Sequence, residues 1–258
     1  MLTQKGENTL ADSEELVLDK FADNLRSRIK AGEYGTSGTL PSTSELASQW
    51  KTSRTVVTQV MLLLRSEGYI RMINNRYLVN HPRFIFTGMP KDFGQYLKDH
   101  GFEPVMENLI EPSLETMSAE IATLFDQPVG ESVVHRIRKQ SMRKEGIPDY
   151  PLRIAENWYP ARLAEDFLEE MRTNGYIHVV EAIKAKYGIS IVKTKEDTLA
   201  RIPTRQEASW LNLARYQPVF ELLWSNFASD GQPVMFNRII MVATNFRLSR
   251  EYPVEHWS

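Results

Sequence analysis

The run from Leu40 to Val79 restricts the fold of this chain more than any other stretch. Ser42 and Glu45 have the spacing of a capping box, which predicts a helix that starts there and ends near Trp50. Ser53 is a suitable N-cap for a second helix, since a serine hydroxyl can accept a hydrogen bond from a free backbone N–H. Two helices separated by so few residues predict a helix-turn-helix.

The residues after the second helix predict a short hairpin. Gly68 fits the end of that helix, because glycine adopts the left-handed conformation at little cost. Residues 69–72 and 77–79 have the apolar and aromatic content of strands. Asn74 and Asn75 suit the turn between them, since asparagine tolerates positive φ. Helix, turn, helix and hairpin in this order are typical of a domain that places one helix in the DNA major groove.

The second helix has an apolar stripe, made by Val57, Met61 and Leu64, that predicts its buried side. The run from Lys51 to Arg76 has five basic residues and one acidic residue, a charge of +4, whereas the whole chain carries −2. A basic strip on a nearly neutral protein is the footprint of phosphate contact, although a merely solvated helix face is the alternative. The polar residues off the stripe should be free to touch DNA: Arg54, Thr55, Thr58, Gln59 and Arg65.

The 258 residues have room for a small and a larger domain. We expect a winged helix in residues 14–79, a linker in 80–91 and a second domain in 92–248. The first helix should span Glu14 to Ala31, after a frayed tail. The absence of cysteine excludes disulfides and thiolate metal sites, and no run reaches the ~20 apolar residues of a membrane helix. These features favour a cytoplasmic protein.

The second domain should be α+β and mostly antiparallel, because hairpins alternate with helices. Asp230-Gly231 between two apolar runs is a strong hairpin signal. Predicted helices are Phe93–His100, Glu115–Phe125, Pro160–Met171, Tyr176–Tyr187 and Thr204–Leu213. Predicted strands are Ser132–Met142, Pro151–Trp158, Ile189–Arg201, Phe220–Ala228 and Pro233–Val242.

The first domain resembles the winged helix of GntR-type bacterial transcription regulators. In that family DNA contacts fall on the start of the second helix, on a Ser-Arg pair and on the wing. The resemblance therefore implies contacts from Ser42, Ser53, Arg54 and Arg71, and wing residue Arg76 is a further candidate. The matching residues are Leu40, Pro41, Ser42, Glu45, Leu46, Ala47, Ser53, Arg54, Val57, Glu67, Gly68, Ile70 and Arg71.

Several positions depart from the family pattern. Ser44 and Thr58 stand where arginines are common, and Lys51 replaces the glycine of the turn. Asn74, Asn75 and Arg76 replace a glycine-rich wing tip. Because fewer arginines reach the bases, the operator should differ from the commonest one of the family. Gln59 could pair with adenine, and Arg54 with guanine or phosphate.

The second domain resembles the effector-binding domain of the HutC-like branch, of UTRA type. The phrases that carry the resemblance are SAEIATLFDQPVGESVVHRIRKQ, PLRIAENWYP, VVEAIKAKYGI and SDGQPVMFNRIIM. It implies a fold like that of chorismate lyase, used for binding and not for catalysis. Where that branch has an Asp-Arg-Tyr type motif, this chain has Thr244, Asn245 and Phe246, which implies an altered or absent effector.

The family positions imply an effector site. Arg136 and Arg138 should share one strand face, because side chains alternate along a strand, and together they could hold a phosphate or carboxylate. The alternative is that they are surface arginines of an exposed sheet, and that His178 is structural. The implied effector-binding residues are Arg136, Arg138, Glu156, Tyr176, His178, Asn237 and Phe246.

Together these observations predict a sequence-specific DNA-binding regulator. We expect a repressor controlled by a small anionic metabolite, which binds a near-palindromic operator in double-stranded DNA as a homodimer and has no membrane partner. The five histidines lack metal-ligand spacing, and no nucleophile elbow or phosphate-cradling glycine loop is present, so we expect no enzyme, cofactor or metal. The alternative is an enzyme or ligand-binding module of chorismate-lyase-like fold fused to a DNA-binding domain.

Overall fold

The structure is a computed structural model that describes residues 4–35, 38–80, 84–86, 92–145, 147–214, 216–249 and 251. The chain forms two compact units. The first comprises Met1–Phe84, Gly146–Pro148 and Leu213–Gln217, and the second comprises the remaining residues. The first unit holds the helix-turn-helix and the second holds a six-stranded sheet, so the α+β prediction is confirmed.

The first unit is a three-helix domain with a hairpin. Its core joins Phe21 and Leu25 of the first helix to Leu46 of the second and Met61 of the third, all fully buried. Trp50 stacks on Phe21 with ring centroids 4.4 Å apart. The elements are α1 (Gln4–Lys30), α2 (Thr43–Trp50), α3 (Arg54–Ser66), β1 (Ile70–Ile73) and β2 (Arg76–Val79).

Local signals account for most of this unit. Ser42 and Glu45 form the predicted capping box at α2, and the Ser53 hydroxyl accepts a hydrogen bond from Val56 N at the start of α3. The hairpin turns at Asn74 and Asn75, with φ of 46° and 62°. The start of α1 was placed wrongly, because the helix extends back from the predicted Glu14 to Gln4.

Lys51 ends α2 in the left-handed conformation, with φ of 49°. This conformation disfavours a side chain with a Cβ atom, whereas glycine adopts it freely. We expect Lys51→Gly to raise the free energy of unfolding by about 0.5–1 kcal/mol in denaturant titrations. Lys51→Ala removes the same charge but keeps the Cβ atom. An equal gain in the alanine variant would show that charge, not backbone conformation, is responsible.

The second unit is built on one antiparallel sheet with the strand order β4-β5-β6-β9-β8-β7. A separate pair joins β10 to β3. The strands are β3 (Phe84–Phe86), β4 (Glu103–Thr116), β5 (Ser132–Lys144), β6 (Ile147–Pro160), β7 (Lys193–Arg201), β8 (Val219–Phe227), β9 (Pro233–Val242) and β10 (Phe246–Leu248). The helices are α4 (Phe93–Asp99), α5 (Ala119–Phe125), α6 (Ala161–Ala164), α7 (Leu168–Thr173), α8 (Val179–Tyr187) and α9 (Arg205–Trp210). Two 3₁₀ turns span Glu165–Phe167 and Ala243–Asn245.

The structure differs most from the sequence-based prediction between β4 and α5. The predicted helix Glu115–Phe125 begins only at Ala119, because Ser118 caps it and Glu115 and Thr116 pair with β5. Its buried face is then Ala122 and Phe125, while Leu124 is 40% exposed. Strand β4, with 14 residues, was missed altogether. Two other predicted elements are shorter than expected, since α8 starts at Val179 and β7 starts at Lys193.

The two sides of the sheet bury different helices. Val134 and Tyr159 pack with the buried residues of α6 to α8, and we call this side the α8 face. Their neighbours Val133 and Trp158 pack with Phe125 and Ala122 of α5, on the side that we call the α5 face. Because side chains alternate along a strand, even-numbered residues of β5 near Val134 point to the α8 face.

Candidate functional site

The start of α3 presents the polar surface that the sequence predicts for DNA contact. Arg54, Thr55, Thr58 and Gln59 are all exposed. The Thr58 hydroxyl donates a hydrogen bond to Arg54 O at 2.9 Å, which fixes the side chain against the helix. The buried side of the helix is Val57, Val60, Met61 and Leu64, so the exposed polar residues form the opposite side.

A cleft lies between the start of α2 and the hairpin β1–β2. Its lining includes Ser42 and Glu45 on one side and Asn75 and Arg76 on the other. Ser42 is exposed, but its hydroxyl already takes part in the capping box with Glu45. Arg76 is exposed at the hairpin turn. The arrangement therefore places the cap of α2 and the wing arginine on one concave surface.

The predicted DNA contact from Arg71 does not fit the structure. Arg71 is only 6% exposed and pairs across the hairpin with Leu78, which is also buried. The face of the hairpin that carries these two residues is therefore covered, and the alternation of the strand leaves Arg71 inside. Of the two predicted wing arginines, only Arg76 is exposed.

Glu67 does not weaken the positive charge of this surface. It accepts two hydrogen bonds from the Arg26 guanidinium of α1, at 2.7 and 2.6 Å. Bidentate pairs of this kind hold both charges in place. The lone acidic residue between Lys51 and Arg76 is thus neutralised within the fold, and the exposed residues Lys51, Arg54 and Arg76 keep their charge for a partner.

In the second unit, Arg136 and Arg138 meet on the α8 face as predicted. Arg136 is 1% exposed and donates to Asn108 Oδ1 at 3.2 Å and to Gly175 O at 2.8 Å. Arg138 donates to the same Gly175 carbonyl at 3.0 Å. The loop before α8 therefore holds both guanidinium groups together, and the alternative of two surface arginines is wrong.

A third arginine, Arg153 of β6, belongs to this group and was missing from the predicted set. It is 7% exposed, donates to Gln140 Oε1 and lies 3.6 Å above the ring of Phe93. Phe93 in turn packs against Phe246, with ring centroids 6.4 Å apart. The predicted residue Phe246 therefore contacts the ring on which Arg153 lies. The spacing in the sequence could have separated these two residues. Arg153 and Glu156 are three residues apart, and so they must point to opposite faces of a strand.

These three arginines, which we call the arginine cluster, are buried or half-buried, and their charge is only partly balanced. Within the described residues, Arg136 Nη1, Arg138 Nε and Arg153 Nη1 have no hydrogen-bond partner. Burial and the neighbouring charge of Arg138 lower the pKa of Arg136 to about 10 and that of Arg153 to about 9. Burial also lowers the pKa of Arg138. With pKa values of about 10 and about 9, Arg136 and Arg153 still carry a proton at neutral pH.

The arginine cluster is suited to binding an anion. The charge of Asp92 acts on Arg138 and Arg153, where it partly opposes the lowering of the pKa that burial causes. An unfilled guanidinium donor in a buried site is costly unless a partner satisfies it. A phosphate or carboxylate offers oxygens that match the planar donor fork of arginine. The donors of the cluster are therefore of the kind that can hold a small anion.

The other predicted residues border the cluster to different degrees. His178 lies 3.4 Å from Asp92 Oδ2, while Asp92 Oδ1 accepts from Gly94 N and caps α4. Tyr176 is 48% exposed and donates its hydroxyl proton to Pro104 O at 2.6 Å. Asn237 is buried farther along the sheet, where it pairs with Asn157 and accepts from Asn226 Nδ2 at 2.8 Å.

The structure does not bring the predicted effector residue Glu156 together with the arginines. Glu156 points to the α5 face, where it accepts a hydrogen bond from His135 Nε2 at 2.9 Å. His135 stacks on Trp158, which marks that face. Alternation along β6 separates Glu156 from Arg153 and explains the error. The residue belongs to a row of charges that crosses the sheet from β4 to α9: Glu115, His135, Glu156, Arg238, Glu221, Arg201 and Glu207.

In the part of the chain that the structure describes, no three histidine or acidic side chains are grouped so that they could hold a metal ion. A search of the described helices also finds none with the length and apolar content needed to cross a membrane.

Comparison with known proteins agrees with both halves of the chain. Residues 19–76 match the gntR family of bacterial regulatory proteins, and residues 100–247 match the UTRA domain. The chain is 26% identical over 239 residues to the transcriptional regulator RB1450 of Rhizobium meliloti, covering 90% of this chain and 93% of that protein. It is 22% identical to the mannosyl-D-glycerate transport/metabolism system repressor MngR of Escherichia coli, covering 85% and 88%.

One further relative and one solved structure also resemble the chain. The galactonate operon transcriptional repressor of Escherichia coli is 25% identical over 145 residues, covering 54% of this chain and 63% of that protein. The crystal structure of PhnF from Mycobacterium smegmatis has a TM-score of 0.58 at 16% identity, covering 90% of this chain and 99% of that one. That likeness shows a shared fold. The chain belongs to the UTRA-domain regulators of the gntR family and is a DNA-binding transcription regulator.

Proposed function

We propose that the protein is a repressor whose affinity for DNA is controlled by a small anion that binds at the arginine cluster. Residues 14–79 read the operator, residues 80–91 link the domains, and residues 92–248 bind the effector and pair two chains. In this proposal the protein acts in the cytoplasm and is not an enzyme. The observation that carries the proposal is a group of three arginines, two buried and one half-buried, that have unfilled N–H groups within the described residues and lie near the Asp92 carboxylate.

The names of two relatives support an effector that carries a carboxylate. Mannosyl-D-glycerate and galactonate, in the names of those repressors, are both sugar-derived acids. A carboxylate or phosphate group would fill the free donors of Arg136, Arg138 and Arg153. The polar residues beyond the cluster, His178 and Tyr176, then face the remainder of the ligand.

The DNA half of the proposal rests on the exposed start of α3 and on the wing. Arg54, Thr55, Thr58 and Gln59 would face the bases and phosphates of the major groove, with Ser53 at the helix cap. Two chains related by a two-fold axis would place their α3 helices roughly 34 Å apart on a near-palindromic site. Effector and operator affinities would then be reciprocally coupled, by about 1–3 kcal/mol.

Thermal unfolding tests the anion site directly. The probes are sodium galactonate, mannosyl-D-glycerate and inorganic phosphate, each titrated into the wild-type protein at constant ionic strength. A ligand that binds only the folded protein stabilises it by about 2.7 kcal/mol at one hundred times its Kd. We expect at least one probe to raise Tm in a saturable way. If all three raise Tm no more than matched sodium chloride does, the anion site is refuted.

Arg153→Met provides a stability prediction for the same site. Replacing a poorly balanced buried charge by an apolar side chain should raise the free energy of unfolding by about 1 kcal/mol without anion, and abolish the anion-induced rise. In the variant Arg143→Met, the lost arginine is half-exposed and paired with Asp149 at 2.7 Å, so stability should fall slightly. A fall for both variants would mean that Arg153 is adequately paired.

The difference in stability between Arg153→Met and wild type should depend on pH, and the direction of this dependence follows from the pKa of Arg153. The pKa of Arg153 is lowered in the folded state to about 9, so its charged form is disfavoured by folding. The resulting loss of stability is fully present below this pKa and is relieved as pH rises through it. The stability advantage of Arg153→Met over wild type should therefore shrink above about pH 9, as followed by urea titrations at several pH values. An advantage that grows with pH would contradict the assigned cause.

A further inference from the structure

Leu62 is an apolar side chain in the middle of the polar side of α3. It is 50% exposed, whereas the other apolar residues of this helix are buried or half-buried. An α-helix turns once every 3.6 residues, so Leu62 lies one turn after Thr58 and two turns after Thr55. It therefore shares its side of the helix with the exposed polar residues and not with the core.

The position of Leu62 matters more than its exposure. A single exposed leucine is common on protein surfaces and indicates nothing by itself. The fully exposed residues around Leu62 on α3 are arginine, threonine and glutamine, which are suited to hydrogen bonding with DNA. When this side of α3 lies against a partner, the leucine leaves water, and the burial of its apolar surface favours the complex.

Thr58 adds a methyl group beside Leu62. Its hydroxyl is engaged within the helix, because it donates a hydrogen bond to Arg54 O at 2.9 Å. The methyl group is then the part of this side chain that is left to contact a partner. Residues four apart on a helix are neighbours, so the methyl group of Thr58 and the side chain of Leu62 form one surface, which we call the apolar patch of α3.

The major groove of DNA presents one apolar group that matches this patch. Base pairs offer hydrogen-bond donors and acceptors there, and only thymine adds a C5-methyl group. Apolar side-chain groups that contact this methyl group distinguish thymine from cytosine. Gln59, on the same side of α3, has the amide that pairs with adenine. The patch and Gln59 therefore both favour A·T base pairs.

The apolar patch can reach the bases when the start of α3 lies in the groove. A helix rises 1.5 Å per residue, which places Leu62 about 10 Å from Thr55 along the helix axis, or roughly three base-pair steps of DNA. The major groove is wide enough to admit an α-helix. Arg54 and the apolar patch would therefore contact different base pairs of one half-site.

We propose that the apolar patch of α3 contacts the methyl group of a thymine in each operator half-site and selects for that base. The inference deepens the proposed function and rests on it, since it takes α3 as the helix that enters the major groove. It assigns to Thr58 and Leu62 a choice of base that depends on apolar contact and not on hydrogen bonding.

Replacement of thymine by deoxyuridine tests the proposal, because it removes only the methyl group from the DNA. The operator is first selected from a random double-stranded library with the full-length wild-type protein, and each thymine of a half-site is then replaced in turn. We expect one replacement to weaken binding about fourfold in fluorescence anisotropy, as for the loss of one buried CH₂ group. In Leu62→Ala the same replacement should leave the affinity unchanged, because the two changes remove one shared contact.

Two further variants separate the patch from general effects of substitution. Leu16→Ala is the matched control, since Leu16 is a leucine of α1 that is 55% exposed. It should keep the full fourfold loss on deoxyuridine. Thr58→Ser keeps the hydroxyl that bonds to Arg54 O and removes the methyl group, so its loss on deoxyuridine should fall to about twofold.

The outcomes distinguish the thymine contact from DNA binding itself. If no thymine replacement weakens wild-type binding, or if Leu62→Ala or Leu16→Ala responds in the same way as the other, the apolar patch is not the thymine contact, and the proposed function still stands. A selection that yields no preferred sequence contradicts operator recognition by this protein and therefore the proposed function.

Discussion

Replacing Arg54 with alanine is expected to weaken operator binding by roughly 10- to 100-fold, in line with about 1–3 kcal/mol for one base-reading arginine. Arg54 is the first residue of α3 and is exposed beside the capped start of that helix. Its side chain makes no part of the buried core, so the variant should remain folded. Fluorescence anisotropy with a labelled operator fragment measures the change.

The matched control is Arg65→Ala, which removes the same charge from the last turn of the same helix. The two positions lie roughly 16 Å apart along the helix axis. The control should lose at most a few-fold in affinity, by weaker general attraction to phosphate. Equal losses in both variants would show that only net charge matters, and an unchanged Arg54→Ala would mean that α3 is not the recognition helix.

The second large effect is expected for Arg138→Ala, which should remove the response to anion while operator affinity stays within two-fold of wild type. Arg138 is the member of the cluster whose charge acts on both others, since it lowers the pKa of Arg136 and of Arg153. Without it, one of the free donors and about a third of the positive charge are lost. We expect anion affinity to fall at least about 100-fold, as for a charge-assisted bidentate contact.

Lys139→Ala controls for a charge lost from the same strand. Lys139 is the next residue of β5, and its ammonium group pairs with Glu107 at 2.8 Å on β4. Because it points away from the α8 face, its loss should leave the anion response intact. An anion response that survives in Arg138→Ala, or that disappears equally in Lys139→Ala, would contradict the arginine cluster as the effector site.

The winged helix was predictable because each of its elements begins and ends with a local signal. The capping box at Ser42, the cap at Ser53 and the turn at Asn74 and Asn75 each act within a few residues, so spacing alone reveals them. The apolar stripe of α3 likewise depends only on the period of the helix. The burial of Arg71 was not predictable, because it depends on what covers the hairpin.

The second unit was harder to predict because its strands depend on distant partners. Strand β4 contains two prolines and bulges, so its residues do not alternate in polarity, and only pairing with β5 defines it. Helix α5 begins later than predicted because Ser118 caps its start. Arg136 and Arg138 were found through the family resemblance, whereas Arg153 and Glu156 needed only consistent alternation along one strand to be assigned to the correct faces.

The most direct test of the central claim is anisotropy of the wild-type protein on DNA from upstream of its own gene, over a salt series, with and without the anion that raises Tm most. We predict saturable binding that exceeds binding to random DNA, falls steeply with salt, and changes about 5- to 150-fold when the anion is added. Binding that is equal on random DNA, or that the anion leaves unchanged while it stabilises the protein, would contradict an anion-controlled operator-binding regulator.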